Sequence, residues 1–290
     1  MNAVRTLRLT IGACALFATV ATTAAAQSRP LVTEDPEVVG AGQMLIEAGI
    51  DRQQGVMYPA SGLQGDLWRL GTFGFSFGVS SIAEIQLDGG VRSSLTINKR
   101  IAAPLAYMLT VPTSATSTSD FEDGIIGAKI RVMSETDGRP ALALKFATRL
   151  PNAQNETGLG LDTTDFMFSF LMGKTVQTVR IVGNFGFGIL GDPTRGDRQN
   201  DVILYGISLA RAVREGLEVV AEVNNRANTR ANTPPVGTES HSVMRVGGRL
   251  TRGPVRLDGA LLIGVTERDP SWGFTAGLTW VFKAFTVPPQ

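Results

Sequence analysis

The sequence predicts an all-β protein, an antiparallel transmembrane β-barrel of about 12 strands. Apolar and polar residues alternate with a period of two in about twelve segments, and each segment fits a strand with one apolar face. The links between these segments are alternately short and long, as in bacterial outer-membrane barrels, which also have an even number of strands. Beyond the N-terminus, no apolar run approaches the roughly 20 residues that a helical membrane span needs.

The N-terminus has the organisation of a bacterial secretory signal peptide, predicted at residues 1–26. Arg5 and Arg8 give a basic start, residues 9–20 are apolar, and the small residues that follow predict a cut after Ala26. The alternatives are a single membrane anchor and a lipoprotein signal at Cys14. The apolar stretch is too short to span well, and Cys14 precedes most of it. We therefore expect export to the bacterial outer membrane.

An N-terminal segment, residues 27–41, precedes the first strand. It contains Pro30 and Pro36 and no sustained alternation, so it does not form a strand. A segment of this length can reach deep into a barrel, at up to roughly 3.3 Å per residue. We predict that it tucks into the lumen as a partial plug; the alternative is a disordered periplasmic tail. The acceptors on this segment are Thr33, Glu34 and Asp35, and the candidate bases on the barrel include Arg131, Arg149 and Arg245.

Residues 42–290 are predicted to form the barrel. In the segment 83–92, the odd positions Ile85 and Leu87 are apolar. The even positions Glu84 and Asp88 are polar, so the two sets fall on opposite faces of a strand. The predicted strands are 44–51, 72–78, 83–92, 126–132, 142–149, 165–173, 180–189, 203–210, 217–224, 241–250, 256–265 and 272–282.

The links between these strands also alternate. Short links are predicted at 80–81, 135–138, 174–178, 214–216 and 252–254, and longer links at 91–123, 151–164, 191–200 and 228–239. The exception is 266–270, a short link where a long one is expected. An even number of strands closes into a barrel with this order of links if both termini lie on the rim with the short turns.

A soluble β-sandwich or lipocalin-like barrel is the alternative fold, and it would have an apolar interior. The apolar face is continuous in nearly every strand, which favours contact with lipid. The opposite face mixes charge with glycine and serine, which suits a narrow polar lumen. Aromatic residues near strand ends fit interfacial girdles. These are Trp68, Trp272, Trp280 and Phe282. The outward residues Phe166, Phe168 and Phe170 are expected to face lipid.

Charged residues on the polar faces are sorted by strand, so that neighbouring strands present opposite charges. One interpretation is a set of salt-bridge ladders that fill the barrel. The other is a narrow pore with opposed acidic and basic walls, and both can hold together. The predicted lumen residues are Glu47, Asp51, Glu84, Asp88, Lys129, Arg131, Lys145, Arg149, Arg180, Glu218, Glu222, His241, Arg245, Arg249, Arg256 and Asp258.

The composition excludes several classes of function. The chain has one histidine and one cysteine, which cannot build a histidine-rich metal site or a disulfide framework, so we expect no metal and no cofactor. The net charge of +1 provides no basic excess for nucleic acid.

His241 is the one candidate catalytic base. Ser240 and Ser242 point away from His241 on a strand, whereas Glu239 shares its face and leaves a dyad geometrically possible. A lone histidine on a lumen face is more often structural, and we predict no enzymatic activity.

Several short motifs follow one another along the chain, at residues 30–36, 42–43, 123–129, 150–151, 158–160, 164–165, 184–186 and 191–193. Together they resemble the phenol-degradation-pathway (MetA-pathway) transporter family of bacterial outer-membrane proteins. The resemblance covers most of the chain after the signal peptide and implies a barrel that takes up small aromatic or other apolar compounds. Expected partners are outer-membrane lipid, a small-molecule solute and the barrel-assembly machinery. The alternative is a structural or interaction barrel of the envelope with a closed lumen.

Overall fold

The computed structural model describes residues 28–286, and the predicted signal peptide with its cut after Ala26 lies outside the described residues. Within this range, no helix is long and apolar enough to cross a membrane. Two one-turn 3-10 helices, Ala106–Met108 and Asn155–Thr157, lie in links between strands. The strands are β1 (Gln43–Tyr58), β2 (Leu63–Gly78), β3 (Ala83–Arg100), β4 (Ser117–Asp120), β5 (Ile125–Met133), β6 (Ala141–Arg149), β7 (Asp165–Val176), β8 (Val179–Gly191), β9 (Gln199–Arg214), β10 (Leu217–Asn228), β11 (His241–Arg252), β12 (Val255–Gly264) and β13 (Trp272–Lys283).

These strands close into one antiparallel barrel. β1 pairs with β2 on one side and with β13 on the other, which joins the first and last strands. The short strand β4 pairs with the second half of β3, and β5 pairs with its first half. β4 and β5 therefore share one position, and the thirteen strands form a barrel of twelve positions. The predicted antiparallel barrel of about 12 strands is confirmed.

The two rims of the barrel differ in their links. One rim carries the short links 79–82, 134–140, 177–178, 215–216 and 253–254. The other carries 59–62, 101–124 with β4, 150–164, 192–198, 229–240 and 265–271. β1 begins and β13 ends at the short-link rim. In outer-membrane barrels the short turns are periplasmic, so we call the two rims periplasmic and extracellular.

The apolar faces of the strands point outward. Phe166 and Val246 are 55% and 56% exposed, whereas Glu84 and Lys129, on inward faces, are 1% and 0% exposed. An outer surface of this kind matches a lipid environment. Large apolar residues exposed along the strands include Ile85, Leu87, Ile126, Phe170, Ile181, Phe187, Ile207, Val219, Leu261 and Leu278.

The outer ends of β1 and β2 extend beyond the predicted strands because the alternation changes phase there. Gly55 and Gly71 have φ of +71° and +68°, a region that favours glycine, and each coincides with a shift in the β1–β2 register. Such a bulge moves the following residues to the other face. Leu63 and Leu67 consequently point inward and are buried, which the period-two pattern did not predict.

Phe168 and Ser169 provide a test of the facing assignment. Phe168 lies in an outward aromatic cluster with Phe146, Phe170 and Phe187, whereas Ser169 points inward beside Gly186. We expect F168R to lower the free energy of unfolding by roughly 2–4 kcal/mol, because a mid-strand arginine then faces hydrocarbon. S169R should cost much less. Unfolding in lipid vesicles measures both, and equal losses would contradict the assignment.

Candidate functional site

The predicted lumen residues lie on inward faces of the barrel. Several cross-strand ion pairs connect residues directly opposite in the strand register, and two of them involve fully buried carboxylates. Lys129 Nζ lies 3.1 Å from a Glu84 carboxylate oxygen, and Arg245 Nη1 lies 2.7 Å from Glu222. Lys129 and Lys145, however, are also directly opposite each other on β5 and β6. Two like charges in this position are destabilising unless a third group lies between them.

Glu34 of the N-terminal segment is that third group. Its carboxylate forms ion pairs with Lys129 at 3.1 Å and with Lys145. Burial by itself would raise the pKa of Glu34, but the ammonium groups of Lys145 and Lys129 lower it to about 2. The buried lysine thus has carboxylates on both sides, from the barrel wall and from the segment.

The backbone of the N-terminal segment is held by side chains of the wall. The N–H groups of Val32 and Thr33 donate to the Glu222 carboxylate, at 2.8–3.0 Å. The N–H of Glu34 donates to Asn184 Oδ1 at 2.7 Å, and Asn184 Nδ2 donates to the carbonyl of Glu34 at 2.8 Å. A chain without a strand partner thereby satisfies its backbone groups inside the barrel.

The partners of the segment differ from those that the sequence favoured. Arg180, on β8, forms two hydrogen bonds with Asp35 at 2.7 and 2.8 Å. Arg131 pairs with Glu37 rather than with the predicted acceptors. The other two candidate bases bind the wall: Arg149 pairs with Asp123 and Asp165, and Arg245 pairs with Glu222.

Arg29 fits into space left by two wall glycines. A Cβ atom added at Gly49 or Gly277 would come within 2.3 or 2.4 Å of the Arg29 guanidinium. In this position Arg29 Nη2 donates to Thr275 Oγ1 at 2.9 Å and lies 3.4 Å from Asp258. The segment and the wall are therefore matched in shape as well as in charge.

The remaining predicted lumen residues form smaller networks. Arg69 links Asp51 to Glu122. Arg249 donates to the carbonyls of Ser28 and Arg29 at 2.8 Å. Glu47 accepts from the N–H of Arg29 at 3.4 Å. Glu218 lies 3.9 Å from both Arg249 and Arg256, and Asp88 lines the cavity described next.

A cavity of about 510 Å³ lies on the extracellular side of the N-terminal segment. Residues 28–32 and Glu34 form part of its lining, and Val32 is 51% exposed. Its wall is mixed. Apolar lining residues include Leu45, Ala147, Met167, Leu171, Leu204 and Leu262, and polar ones include Asp88, Asn184, Asn224, Asn225 and Arg226.

An apolar cluster closes part of the extracellular mouth. Leu63, Leu67 and Leu95 are buried inside the barrel wall, and Leu109 and Leu159 from two long links pack against them. The same two links are joined by a hydrogen bond from the N–H of Thr110 to the carbonyl of Glu156 at 3.0 Å. The period-two pattern did not predict this cluster, because the bulges at Gly55 and Gly71 reverse which positions of the strands point inward.

His241 lies at the extracellular end of the lumen. Its Nδ1 is 2.8 Å from Asp269 Oδ1, whereas Glu239, for which the sequence left a dyad geometrically possible, lies 3.7 Å from Arg268. Asp269 belongs to the short 265–271 link, a position that strand patterns do not connect with β11. No cluster of potential metal ligands occurs among residues 28–286.

Comparison with known proteins identifies the family. The sequence profile described as the MetA-pathway of phenol degradation matches residues 27–282. The chain belongs to this family. No curated protein of similar sequence matches it.

Two solved structures are similar in fold. One is an outer-membrane channel from Pseudomonas putida F1, at 12% sequence identity and a TM-score of 0.58, covering 86% of this chain and 98% of that one. The other is the NanC porin, at 7% identity and a TM-score of 0.51, covering 81% and 98% of the two chains. This member of the family therefore has the fold of an outer-membrane β-barrel.

G49A tests the fit of Arg29, because the three atoms nearest to a Cβ at this position all belong to the Arg29 guanidinium. The new methyl group should displace the guanidinium and lower the hydrogen-exchange protection of residues 28–33 roughly thirtyfold, because its two hydrogen bonds to Thr72 and Thr275, of about 1 kcal/mol each, are lost. G259A is the matched control, since the nearest atom to its Cβ is a backbone oxygen 3.5 Å away. Equal exchange in the two variants would refute the fit.

The lowered pKa of Glu34 predicts how the binding of the N-terminal segment inside the lumen, here called docking, depends on pH. Its pKa when docked, about 2, is below the ordinary value of 4.5, so the ionised carboxylate stabilises docking above pH 4.5. This contribution is lost as the pH falls towards 2. Hydrogen-exchange protection of residues 32–39 should therefore fall on acidification through this range. E34Q should show lower protection at pH 6 and a flatter response to acid; a response like that of the unmodified chain would contradict the assignment.

Proposed function

We propose that this chain is a passive outer-membrane channel for small aromatic or other apolar compounds. The family to which it belongs is described by phenol degradation, and the two structures similar in fold are a channel and a porin. The observation that carries the proposal is the cavity of about 510 Å³ inside the barrel, which is large enough for a small solute. Export by the signal peptide and insertion by the barrel-assembly machinery remain predictions.

The lining of the cavity favours an amphipathic solute. Met167 and Leu171 of β7 and Leu204 of β9 offer apolar contacts, and Asn184 of β8 offers an amide between them. A ring can bury apolar area against such a wall while a polar substituent finds a hydrogen-bonding partner. A strongly charged solute would have to compete with ion pairs already formed inside the lumen.

The N-terminal segment is proposed to be the constriction of this channel. It crosses the lumen on the periplasmic side of the cavity, and contacts on β1, β3, β5, β6, β8, β10 and β11 hold it there. A solute in the cavity can reach the periplasm only if these contacts yield or leave a gap beside the segment.

A closed structural barrel is the second candidate, and the same contacts favour it. Lys129 and Glu84 are 0% and 1% exposed, which indicates a tightly filled lumen at this level. In that case the cavity would be a blind recess, and the extracellular links would carry the interaction with a partner.

Removing residues 28–37 distinguishes the two candidates. The deletion should raise single-channel conductance in planar bilayers several-fold, because the side chains and backbone that cross the lumen are gone. The unmodified chain should conduct weakly and pass small uncharged solutes in liposome-swelling assays.

As a control, the deletion variant must still fold into a barrel, which heat-modifiable migration in electrophoresis shows. Unchanged conductance with a folded barrel would reject the segment as the constriction. If neither the unmodified chain nor the deletion passes any solute, the channel proposal fails and the closed barrel is favoured.

A further inference from the structure

A second, smaller cavity of about 240 Å³ lies beneath the 265–271 link at the extracellular end of the lumen. Val56, Val243, Leu262 and Pro270 give it an apolar lining. It shares Gln53, Arg245 and Leu262 with the larger cavity, so the two adjoin. An apolar cavity of roughly 150 Å³ already admits a benzene ring. The smaller cavity is therefore large enough for one aromatic ring.

His241 lines this cavity, and Asp269 fixes its orientation. The buried Asp269 carboxylate accepts hydrogen bonds from the N–H of Ser242 at 3.1 Å and from the N–H and hydroxyl of Thr266 at 2.9 and 2.7 Å. Burial would raise the pKa of Asp269, but the Thr266 and Ser242 hydrogen bonds lower it below its ordinary value. Asp269 is therefore an ionised carboxylate, which can only accept a hydrogen bond from its fourth neighbour, His241.

The carboxylate determines which nitrogen of His241 carries the proton. Nδ1 lies 2.8 Å from Asp269 Oδ1, so the neutral imidazole places its proton on Nδ1. Nε2 then has a lone pair and can accept a hydrogen bond. Among residues that line the cavity, Arg245 and Arg268 already face carboxylates, those of Glu222 and Glu239. This arrangement suits a neutral hydroxyl donor better than an anionic ligand.

We propose that the smaller cavity binds single-ring phenols, with the phenolic hydroxyl donating to Nε2 of His241 and the ring packing against Val56, Val243 and Leu262. This inference rests on the proposed channel function in one respect, that aromatic solutes pass through the adjoining cavity. The site would select hydroxylated rings over rings of similar size that cannot donate a hydrogen bond. The role of His241 is recognition, without any covalent step.

The chain has a single histidine, so isotope labelling tests the site directly. Protein labelled with ¹⁵N-histidine and purified without a histidine tag should show one protonated and one unprotonated imidazole nitrogen at neutral pH. Phenol should shift the Nε2 resonance in a saturable manner, and anisole, whose oxygen carries a methyl group in place of hydrogen, should not. A doubly protonated ring, a proton on Nε2, no shift with phenol or an equal shift with anisole would each overturn the proposal.

Passage through the barrel provides the second readout. We expect the unmodified chain to pass phenol roughly threefold to tenfold faster than anisole in liposomes, the range that one net hydrogen bond supplies. H241F keeps an aromatic ring and should reduce this ratio to about one in a barrel that still folds. The control E267Q, an exposed position in the same link, should keep the preference. A preserved preference in folded H241F would overturn the site.

The two proposals fail in different ways. If no solute passes through the unmodified chain, the channel function fails, and the titration of His241 still decides whether phenols bind. If solutes pass but phenol has no preference and does not shift Nε2, the channel stands and the phenol site is rejected. D269N should invert the tautomer, because an amide can donate to Nδ1, and thereby remove the phenol-induced shift in a barrel that still folds.

Discussion

The burial of Lys129 is the constraint on which the inner structure depends. Its ammonium group is inaccessible to solvent and is neutralised by Glu84 of the wall and Glu34 of the N-terminal segment. Removing one partner of a buried ion pair typically costs 3–5 kcal/mol, because the remaining charge is left without compensation. The need for a compensating carboxylate is greater because Lys145, a second positive charge, lies directly opposite Lys129. Without the segment, the charges of Lys129 and Lys145 on the wall are therefore not fully compensated.

The size of the barrel explains why an additional segment is needed. Eight strands enclose a space that side chains can fill, whereas twelve enclose a wider lumen. Residues 28–42 fill the periplasmic part of this lumen, and inward glycines such as Gly49, Gly173 and Gly277 leave room for its side chains. The extracellular part lacks such filling and contains both cavities. In the proposed channel, constriction and solute binding therefore lie at different levels along the barrel axis.

The period of two predicted which residues share a face of each strand, because this follows from local alternation. The continuity of the apolar faces predicted which face points to lipid, and the alternation of short and long links predicted the closure of the barrel. The period of two did not predict the phase changes at Gly55 and Gly71, which depend on backbone conformations that alternation does not encode. The lumen charges could be found in the same way, but their partners could not. Asp35 binds Arg180 and His241 binds Asp269 because of how the sheet curves and closes, and residues distant in sequence meet only in the closed barrel.

Carboxylates organise both ends of the lumen, with different consequences. Glu84 and Glu222 accept backbone N–H groups of the segment. Asp269 accepts the N–H groups of Ser242 on β11 and of Thr266 in its own link. At the periplasmic end the acceptors also face cations, so the network is saturated and holds the chain across the lumen. At the extracellular end, Asp269 accepts a hydrogen bond from Nδ1 of His241. Nε2 of the same imidazole then keeps its lone pair beside the apolar lining of the smaller cavity. In the proposed channel, the first arrangement resists the passage of solutes, whereas the second leaves an acceptor available for a ligand.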